Sequence, residues 1–322
     1  MNAEAILTTE GFDQAQQAYL EGKRRVFAAR AWYPSSIGHP CDRALVWRMT
    51  KGETQELHSH VLQSIFDQGN ELQPIIQRRL EALGFTVQGE GDRSRQYKIK
   101  GTVISGRPDG KLIAYRGEKY RPAPVVEMKS MSSYQFERHR SVDDLRKSSS
   151  HWTRNYYAQG QLYAFLEDVP NGVYVLMDKT LGLLRLIPFE LDFGYVENLL
   201  QRVERLQPLV DQGVDPDPIP YDWSICGGCG FNTQCYPPRD YGEGTAVLTE
   251  DAFIEALEER ERLKPSRDGY EEADRAIKAR LKRDGIRSAV AGPFAIEATE
   301  RKVTGYTVEP RTDVVFKIDR VG

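Results

Sequence analysis

Residues 123–129 read APVVEMK, a short apolar run that ends in charge. This pattern predicts a brief buried strand. Side chains two positions apart on a strand point to the same face, so Glu127 and Lys129 are expected to share one face while Met128 points into the core. The stretch therefore predicts a strand with one carboxylate and one ammonium on the same side.

A second carboxylate lies upstream in the turn sequence GRPDG, residues 106–110. Residues 97–104 alternate like a strand and residues 111–115 resemble a returning strand, which together predict a hairpin around this turn. A neighbouring strand would bring Asp109 beside Glu127 and Lys129. Two carboxylates can bind Mg²⁺ or Mn²⁺ through oxygen, and a lysine ammonium can orient a water or stabilise charge on a phosphate.

The segment after this strand is predicted to be a charged, serine-rich mobile loop over residues 137–150 and then an amphipathic helix over residues 151–166. Gln159 and Tyr163 are four apart on that helix and so lie on one face. An isolated E-x-K is a weak signal, because such pairs are frequent on solvated strands and helices. The ordered set of turn, strand and helix makes it informative.

This order resembles the RecB-like PD-(D/E)XK nucleases, over about residues 35 to 240. The resemblance implies an α/β fold with a restriction-endonuclease-like core, in which helices flank a central mixed β-sheet. It also implies that Asp109 and Glu127 are metal ligands and Lys129 is the catalytic lysine. Gln159 and Tyr163 would position DNA near the metal, whereas Gln161 is offset to another face.

The resemblance is incomplete on the helix predicted over residues 62–83. Members of the family often carry a G-x-x-x-H pattern there, but this chain has Gly69 followed by glutamine at position 73. Glu71 or Gln73 could supply the missing ligand through a side-chain oxygen. A polar helix surface without a metal role is an equal alternative.

Four cysteines are present, Cys41 alone and Cys226, Cys229 and Cys235 in the run CGGCGFNTQC. Three thiols with glycines between them suit a tight loop around a metal or cluster. A reducing cytosol disfavours disulfides, and zinc is the stronger rival because it also takes four thiolates. The order of one cysteine before the core and three after it resembles the [4Fe-4S] clamp of RecB-like nucleases, among them CRISPR-associated exonucleases and phage-encoded relatives.

Three regions are expected along the chain. Residues 1–95 form a helical region with the first cysteine, residues 96–240 form the nuclease core with the other three, and residues 241–322 form an α+β extension. Further elements are predicted as strands at 173–177 and 183–189, helices at 193–210, 251–263 and 270–283, and short strands over 288–321.

A formal net charge of -3 neither demands nor excludes nucleic acid as a partner. Arg154, Tyr156 and Tyr157 combine basic and aromatic character that can contact DNA, although a solvated face is the more frequent meaning of such a cluster. Neither a membrane span nor a signal peptide is recognisable, so a cytoplasmic location is expected, in a bacterial, archaeal or phage-infected cell.

The expected function is metal-dependent hydrolysis of DNA. The resemblance favours an exonuclease acting 5′ to 3′ on single strands or frayed ends, in phage recombination or CRISPR spacer acquisition, with a homo-oligomer and recombination or CRISPR adaptation proteins as partners. One alternative is a nucleic-acid-binding or partner-binding module with a weak active site and a structural cluster. Another is a zinc-stabilised protein with unrelated chemistry.

Overall fold

The computed structural model describes residues 7–89, 95–99, 102–236, 246–248, 251–264, 267–303 and 311–320. The chain divides into two compact units, Met1–Pro220 and Tyr221–Gly322. This division differs from the three predicted regions. The helix expected within residues 1–95 shares a hydrophobic cluster with the sheet that follows it, and the boundary at Pro220 precedes the last three cysteines.

The first unit contains eight α-helices, one 3-10 helix at Gly52–Thr54 and eight strands among its described residues. The helices are α1 Thr9–Lys23, α2 Pro34–Ile37, α3 Asp42–Thr50, α4 His60–Ala82, α5 Ser133–Arg138, α6 Val142–Arg146, α7 His151–Leu166 and α8 Phe193–Gln212. The strands are β1 Phe85–Gln88, β2 Arg95–Ile99, β3 Thr102–Gly106, β4 Gly110–Tyr115, β5 Glu118–Lys119, β6 Val125–Met131, β7 Asn171–Asp178 and β8 Leu184–Glu190.

The central sheet of this unit is mixed, with the strand order β1-β4-β6-β7-β8 and β5 paired to β4. Strands β6 and β7 are parallel, and the other pairs are antiparallel. A parallel pair needs a long crossover connection, which α5, α6 and α7 provide. The predicted central mixed sheet with flanking helices is therefore confirmed, as is the predicted hairpin of β7 and β8.

The two faces of the sheet bury different helices. On one face, Ile76 and Leu80 of α4 pack against Val126 and Met128 of β6. Ser59 caps the start of α4 by accepting a hydrogen bond from the Leu62 amide. Just after the end of the helix, Gly84 adopts a positive φ of 99°, which suits a glycine. Each fully buried aliphatic side chain contributes about 1.5–3 kcal/mol. The sequence pattern predicted this helix correctly.

Helix α7 covers the opposite face, with bounds that match the prediction. Eleven of its 16 residues are buried, so the helix is enclosed rather than amphipathic. It packs against α2, α6, α8, β6 and β7. Gly160 allows the close approach, because a Cβ there would lie 2.5 Å from the hydroxyl oxygen of Tyr174 on β7. Enclosure on several sides removes the polar face that the sequence pattern indicated.

The hairpin predicted around residues 106–110 is wrong. Strand β3 pairs with β2, while β4 pairs with β1, β5 and β6 in the central sheet. Residues 100–101, which lie between β2 and β3, are outside the described residues. Partner choice between strands depends on long-range packing, which local turn chemistry does not report.

The mobile loop predicted over residues 137–150 is also wrong, because this stretch contains α6. Ser141 and Asp144 form a reciprocal capping box at its start, and Leu145 is fully buried. His139 is buried beside it. One apolar side chain and a cap are enough to anchor five residues against α7, despite the polar composition.

The second unit contains two short helices around its cysteines, then a helical pair and a four-stranded sheet. The elements are α9 Trp223–Cys226, α10 Asn232–Cys235, β9 Ala246–Leu248, α11 Asp251–Leu263, α12 Arg267–Arg283, β10 Ser288–Ala291, β11 Phe294–Val303 and β12 Arg311–Arg320. The strand order is β12-β11-β10-β9, and α11 and α12 pack on each other and share a cluster with the sheet. The predicted helices and strands of this extension are confirmed.

Among the described residues, no helix has both the length and the apolar character needed to cross a membrane.

Candidate metal and phosphate site

The pairing of β4 with β6 brings the two predicted carboxylates together. Gly110 pairs with Val126, and continuing this antiparallel register by one residue places Asp109 beside Glu127. The Oδ2 atom of Asp109 accepts a hydrogen bond from the Met128 amide at 2.7 Å. Asp109 therefore reaches the site by sheet pairing with β6, and not through the hairpin that the sequence indicated.

Strand alternation puts Glu127 and Lys129 on the face of β6 that is covered by α7. Val126 and Met128 belong to the cluster on the α4 side. The Lys129 ammonium lies 2.5 Å from Oε1 of Glu127, and the two side chains are 21% and 2% exposed, respectively. The expected sharing of one face by this pair is thus present in the structure.

The pKa values of Glu127 and Lys129 are shifted by burial and by the charged groups nearby. Burial raises the pKa of Glu127 to about 8, and the nearby Asp109 adds to the increase. Burial alone would lower the pKa of Lys129, but Glu127 and Asp109 raise it above its ordinary value. Lys129 is consequently a permanent cation at neutral pH, beside a carboxyl group that is costly to ionise.

Glu127 has a buried oxygen that nothing in the described chain satisfies. Its Oε1 atom takes the Lys129 ammonium, while Oε2 is buried without a hydrogen-bond partner among the described residues. A buried, unsatisfied carboxylate oxygen is costly. A hard divalent cation bound by Glu127 and Asp109 would remove that cost, so the donor set fits Mg²⁺ or Mn²⁺.

Tyr163 anchors the turn that carries Asp109. A Cβ at Gly106 would lie 2.8 Å from the Tyr163 hydroxyl oxygen, so only glycine leaves room there. The Arg107 amide donates a hydrogen bond to this hydroxyl. Burial first, and then the charge of Glu127, raises the pKa of Tyr163. The tyrosine is therefore a neutral hydroxyl placed between the turn and the two carboxylates.

The two predicted glutamines have different environments. Gln159 is buried on α7, one turn before Tyr163. Gln161 bridges two backbone groups instead, since its amide donates to the Glu190 carbonyl at 3.1 Å and its oxygen accepts from the Asp192 amide at 2.7 Å. The expectation that Gln161 faces away from the site agrees with these contacts.

The three residues predicted to contact DNA are not equivalent. Tyr157 is in the hydrophobic core, which argues against the predicted contact with DNA. Arg154 donates to the carbonyls of Ser148 and Ser149 at 2.6 and 2.8 Å. Tyr156 is half-buried, and the Lys129 ammonium lies over its ring at 5.1 Å from the centroid.

The proximity of Tyr156 to the site is the feature that sequence reasoning missed. Tyr156 and Tyr163 are seven apart, two turns of helix, so helical spacing alone could have placed both on the face that holds Gln159.

The two residues considered as a third metal ligand lie on α4, where Glu71 is exposed and Gln73 is half-buried. The charges that shift the pKa of Glu127 come from Asp109 and Lys129.

None of the four cysteines, all of which lie in described ranges, forms a disulfide, and Cys41 and Cys226 are buried. Cys41 precedes α3 in the first unit, whereas the other three lie in the second. The Cys229 amide donates to the Cys226 carbonyl at 3.1 Å, which forms a tight turn. Within the described ranges, no three His, Cys, Asp or Glu side chains are grouped closely enough to hold a metal. The fit to a cluster therefore rests on the chemistry of the four thiols alone.

No protein-family model matches this chain, and no curated protein matches it. The crystal structure of SSO0001 matches with a TM-score of 0.43 at 17% identity, covering 70% of this chain and 96% of that one. The alkaline exonuclease LHK-Exo from Laribacter hongkongensis matches with a TM-score of 0.39 at 16% identity, covering 62% and 94%. Its complex with dAMP gives a TM-score of 0.40 at 16% identity and the same coverage. Likenesses of this extent show neither the family nor the activity of the chain.

Proposed function

We propose that this chain is a divalent-metal-dependent deoxyribonuclease that hydrolyses phosphodiester bonds. The observation that carries the proposal is the convergence of Asp109, Glu127 and Lys129, with one oxygen of Glu127 buried and unsatisfied. Two carboxylates and a lysine that meet beneath an enclosed helix are expensive to maintain for stability alone. They suit a site that binds a cation and a phosphate.

Each residue has a chemical role in this proposal. Asp109 and Glu127 would hold Mg²⁺ or Mn²⁺, which when bound supplies positive charge to the phosphate and lowers the pKa of a water. Lys129 remains protonated at neutral pH, so its ammonium can donate to the attacking water or to a phosphate oxygen. Gln159 and Tyr163 offer neutral polar groups on the α7 face, for holding the DNA strand in place.

The finer assignment rests on the resemblance of the motif order to RecB-like nucleases. On that basis the enzyme is proposed to be an exonuclease that degrades single strands or frayed ends from 5′ to 3′. Its proposed setting is the cytoplasm, in phage recombination or CRISPR adaptation. The chain departs from that resemblance on α4, where Glu71 or Gln73 is the candidate for a third metal ligand and a polar helix surface without a metal role is the equal alternative.

We further propose a [4Fe-4S] cluster on Cys41, Cys226, Cys229 and Cys235. The support is the order of one cysteine upstream and three downstream, with Cys41 and Cys226 buried. Bound iron would stabilise the folded protein, because the free energy of binding to the folded state adds to the free energy of folding. Zinc is the rival, and the iron and zinc content of purified protein separates the two.

The test is degradation of single-stranded DNA labelled at either end, with Mn²⁺ or Mg²⁺, by anaerobically purified protein. Wild type should release labelled products, and Lys129→Ala should lose the activity by 100-fold or more, on the order of a lost charge-stabilising group. The order in which the two labels are released gives the direction of cleavage.

The matched control is Lys119→Ala, which removes an exposed strand lysine from β5 and should leave cleavage unchanged. Failure of iron-replete wild type to cleave, with DNA binding retained, would replace the proposal with a binding module. Equal cleavage by wild type and Lys129→Ala would remove Lys129 from the mechanism.

A further inference from the structure

The α7 face that covers the site includes a residue with no role in the mechanism above. Tyr156, Gln159 and Tyr163 follow one another at spacings of three and four, which places them on one side of a helix. At one end of this face, Tyr163 lies against the turn that carries Asp109. At the other end, Tyr156 meets Lys129. The helix therefore contacts both halves of the charged site.

The Lys129 ammonium has two neighbours on different groups. Its Nζ atom lies 2.5 Å from Oε1 of Glu127 and 5.1 Å from the centroid of the Tyr156 ring. The face of an aromatic ring carries partial negative charge and attracts an ammonium, more strongly where water is excluded. The ammonium is thus held by a carboxylate and by a ring face at the same time.

A lysine needs such a restraint to work as a catalytic group. Its side chain is long and flexible, with high rotamer entropy, so the side chain alone does not fix the position of the ammonium group. Small displacements of a reacting group lower reaction rates steeply. When a cation occupies the carboxylates, Glu127 is shared between two positive partners, and the ring is then the neighbour that does not change.

We propose that Tyr156 is a positioning residue for Lys129, acting through its ring and not through its hydroxyl. The ring restrains the ammonium beside Glu127, where it can meet the water or the phosphate. This inference rests on the proposed nuclease function, and it replaces the DNA-stacking role that the sequence indicated for Tyr156.

The experiment measures kcat and KM for single-stranded DNA cleavage by the whole 322-residue chain, purified anaerobically. Tyr156→Phe should stay within about twofold of wild type, because the ring is retained. Tyr156→Leu should lower kcat by about fivefold to thirtyfold, the range for a partly desolvated cation–ring contact, with KM unchanged.

An isosteric series separates ring electrostatics from packing. Phenylalanine with one, two or three ring fluorines at position 156 keeps its shape while the negative ring face weakens at each step. The kcat should fall stepwise along the series. These variants decide the matter even where Tyr156→Leu fails to fold, as judged by thermal unfolding.

Tyr19→Leu is the matched control. The Lys23 ammonium lies over the Tyr19 ring at 5.3 Å on the surface of α1, so this variant removes a similar contact outside the site and should leave kcat unchanged. Equal kcat across the fluorinated series would overturn the role of Tyr156 and leave the nuclease function standing. A raised KM with unchanged kcat in Tyr156→Leu also overturns that role, in favour of DNA stacking. Absence of cleavage by wild type overturns the nuclease function with it.

Discussion

Glu127 is the residue whose environment is hardest to explain without a ligand. It is almost fully buried, its pKa is raised to about 8 by burial and by Asp109, and one of its oxygens has no partner in the described structure. Lys129 offsets only part of this cost. A bound divalent cation would account for a carboxylate kept in such a place.

Replacing Glu127 by glutamine tests this explanation through stability. Glutamine keeps the length of the side chain but lacks the negative charge that attracts a divalent cation, so Glu127→Gln should bind the metal far more weakly. Mn²⁺ at about 100 times its Kd should stabilise wild type by about 2.7 kcal/mol and the variant far less. Denaturant unfolding with and without Mn²⁺ measures both. Equal stabilisation of the two proteins would place the metal elsewhere.

His139 predicts a pH dependence of stability. Burial lowers its pKa, and its ring nitrogens lie 2.7 Å from the Gln135 carbonyl and 3.1 Å from the Ser148 hydroxyl. The unfolded chain takes up a proton near pH 6.5, whereas the folded chain does so only at lower pH. The unfolded state therefore binds more protons below about pH 6.5, and stability falls as pH falls.

The free energy of unfolding of wild type should accordingly decrease from pH 7.5 to pH 5 relative to that of His139→Gln. The contributions of His39, whose pKa burial lowers to about 3, and of Glu127, whose pKa is raised to about 8, are common to both proteins and cancel in this difference. Equal slopes for the two proteins would show that His139 is protonated without cost in the folded state.

Individual residues were predictable from sequence where strand or helix spacing alone decides their direction. The alternation of β6 places Glu127 beside Lys129, and helical spacing places Gln159 and Tyr163 on one face. The sequence pattern indicated the same role for Tyr156 and Tyr157. Adjacent residues on a helix point to different neighbours, and only the packed structure shows that Tyr157 is in the core and Tyr156 beside Lys129.

At the scale of elements, the contact of α7 with β7 is the closest packing that supports the site. Gly160 faces Tyr174, whose hydroxyl donates to the Tyr157 carbonyl at 2.9 Å. A methyl group at position 160 would have to displace the tyrosine or the helix. Because α7 carries Gln159 and Tyr163, such a shift reaches the carboxylates.

Gly160→Ala should therefore lower the free energy of unfolding by about 1–3 kcal/mol and reduce cleavage as well. Gly69→Ala is the control within a helix, since no atom lies within 4 Å of its Cβ position on α4. That change should raise stability by about 0.5–1 kcal/mol, because alanine is the better helix former. Denaturant unfolding of both variants gives the comparison, and an unperturbed Gly160→Ala would contradict the packing described.

Elements with strong periodicity were predicted well, and their partners were not. The bounds of α7 and α11 agree with the sequence pattern, and those of α4 differ by two residues at its start and one at its end. The pairing of β4 with β6, and not with β3, depends on contacts between distant segments. Helix α6 was missed because one buried leucine and a capping box give little periodic signal.

At the scale of the whole molecule, the cysteines proposed to bind a cluster are far apart in the sequence, with Cys41 just before α3 and Cys226 at the end of α9. We expect Cys41→Ala and Cys226→Ala to lose iron to a similar extent, since each removes one ligand of one cluster. Both should also unfold at lower temperature, because cluster binding adds to folding stability.

Iron analysis, visible absorption and thermal unfolding of anaerobically purified variants measure these changes. Full iron content in Cys41→Ala would exclude this cysteine as a ligand, and stoichiometric zinc in wild type would exclude the cluster.

We would measure DNA cleavage by anaerobically purified, chelator-treated protein before and after addition of Mn²⁺, in wild type and in Glu127→Gln. The site described here predicts no cleavage before addition, cleavage by wild type afterwards, and none by the folded variant. Equal cleavage by the two proteins after Mn²⁺ addition would contradict the assignment of Asp109, Glu127 and Lys129 as the catalytic centre.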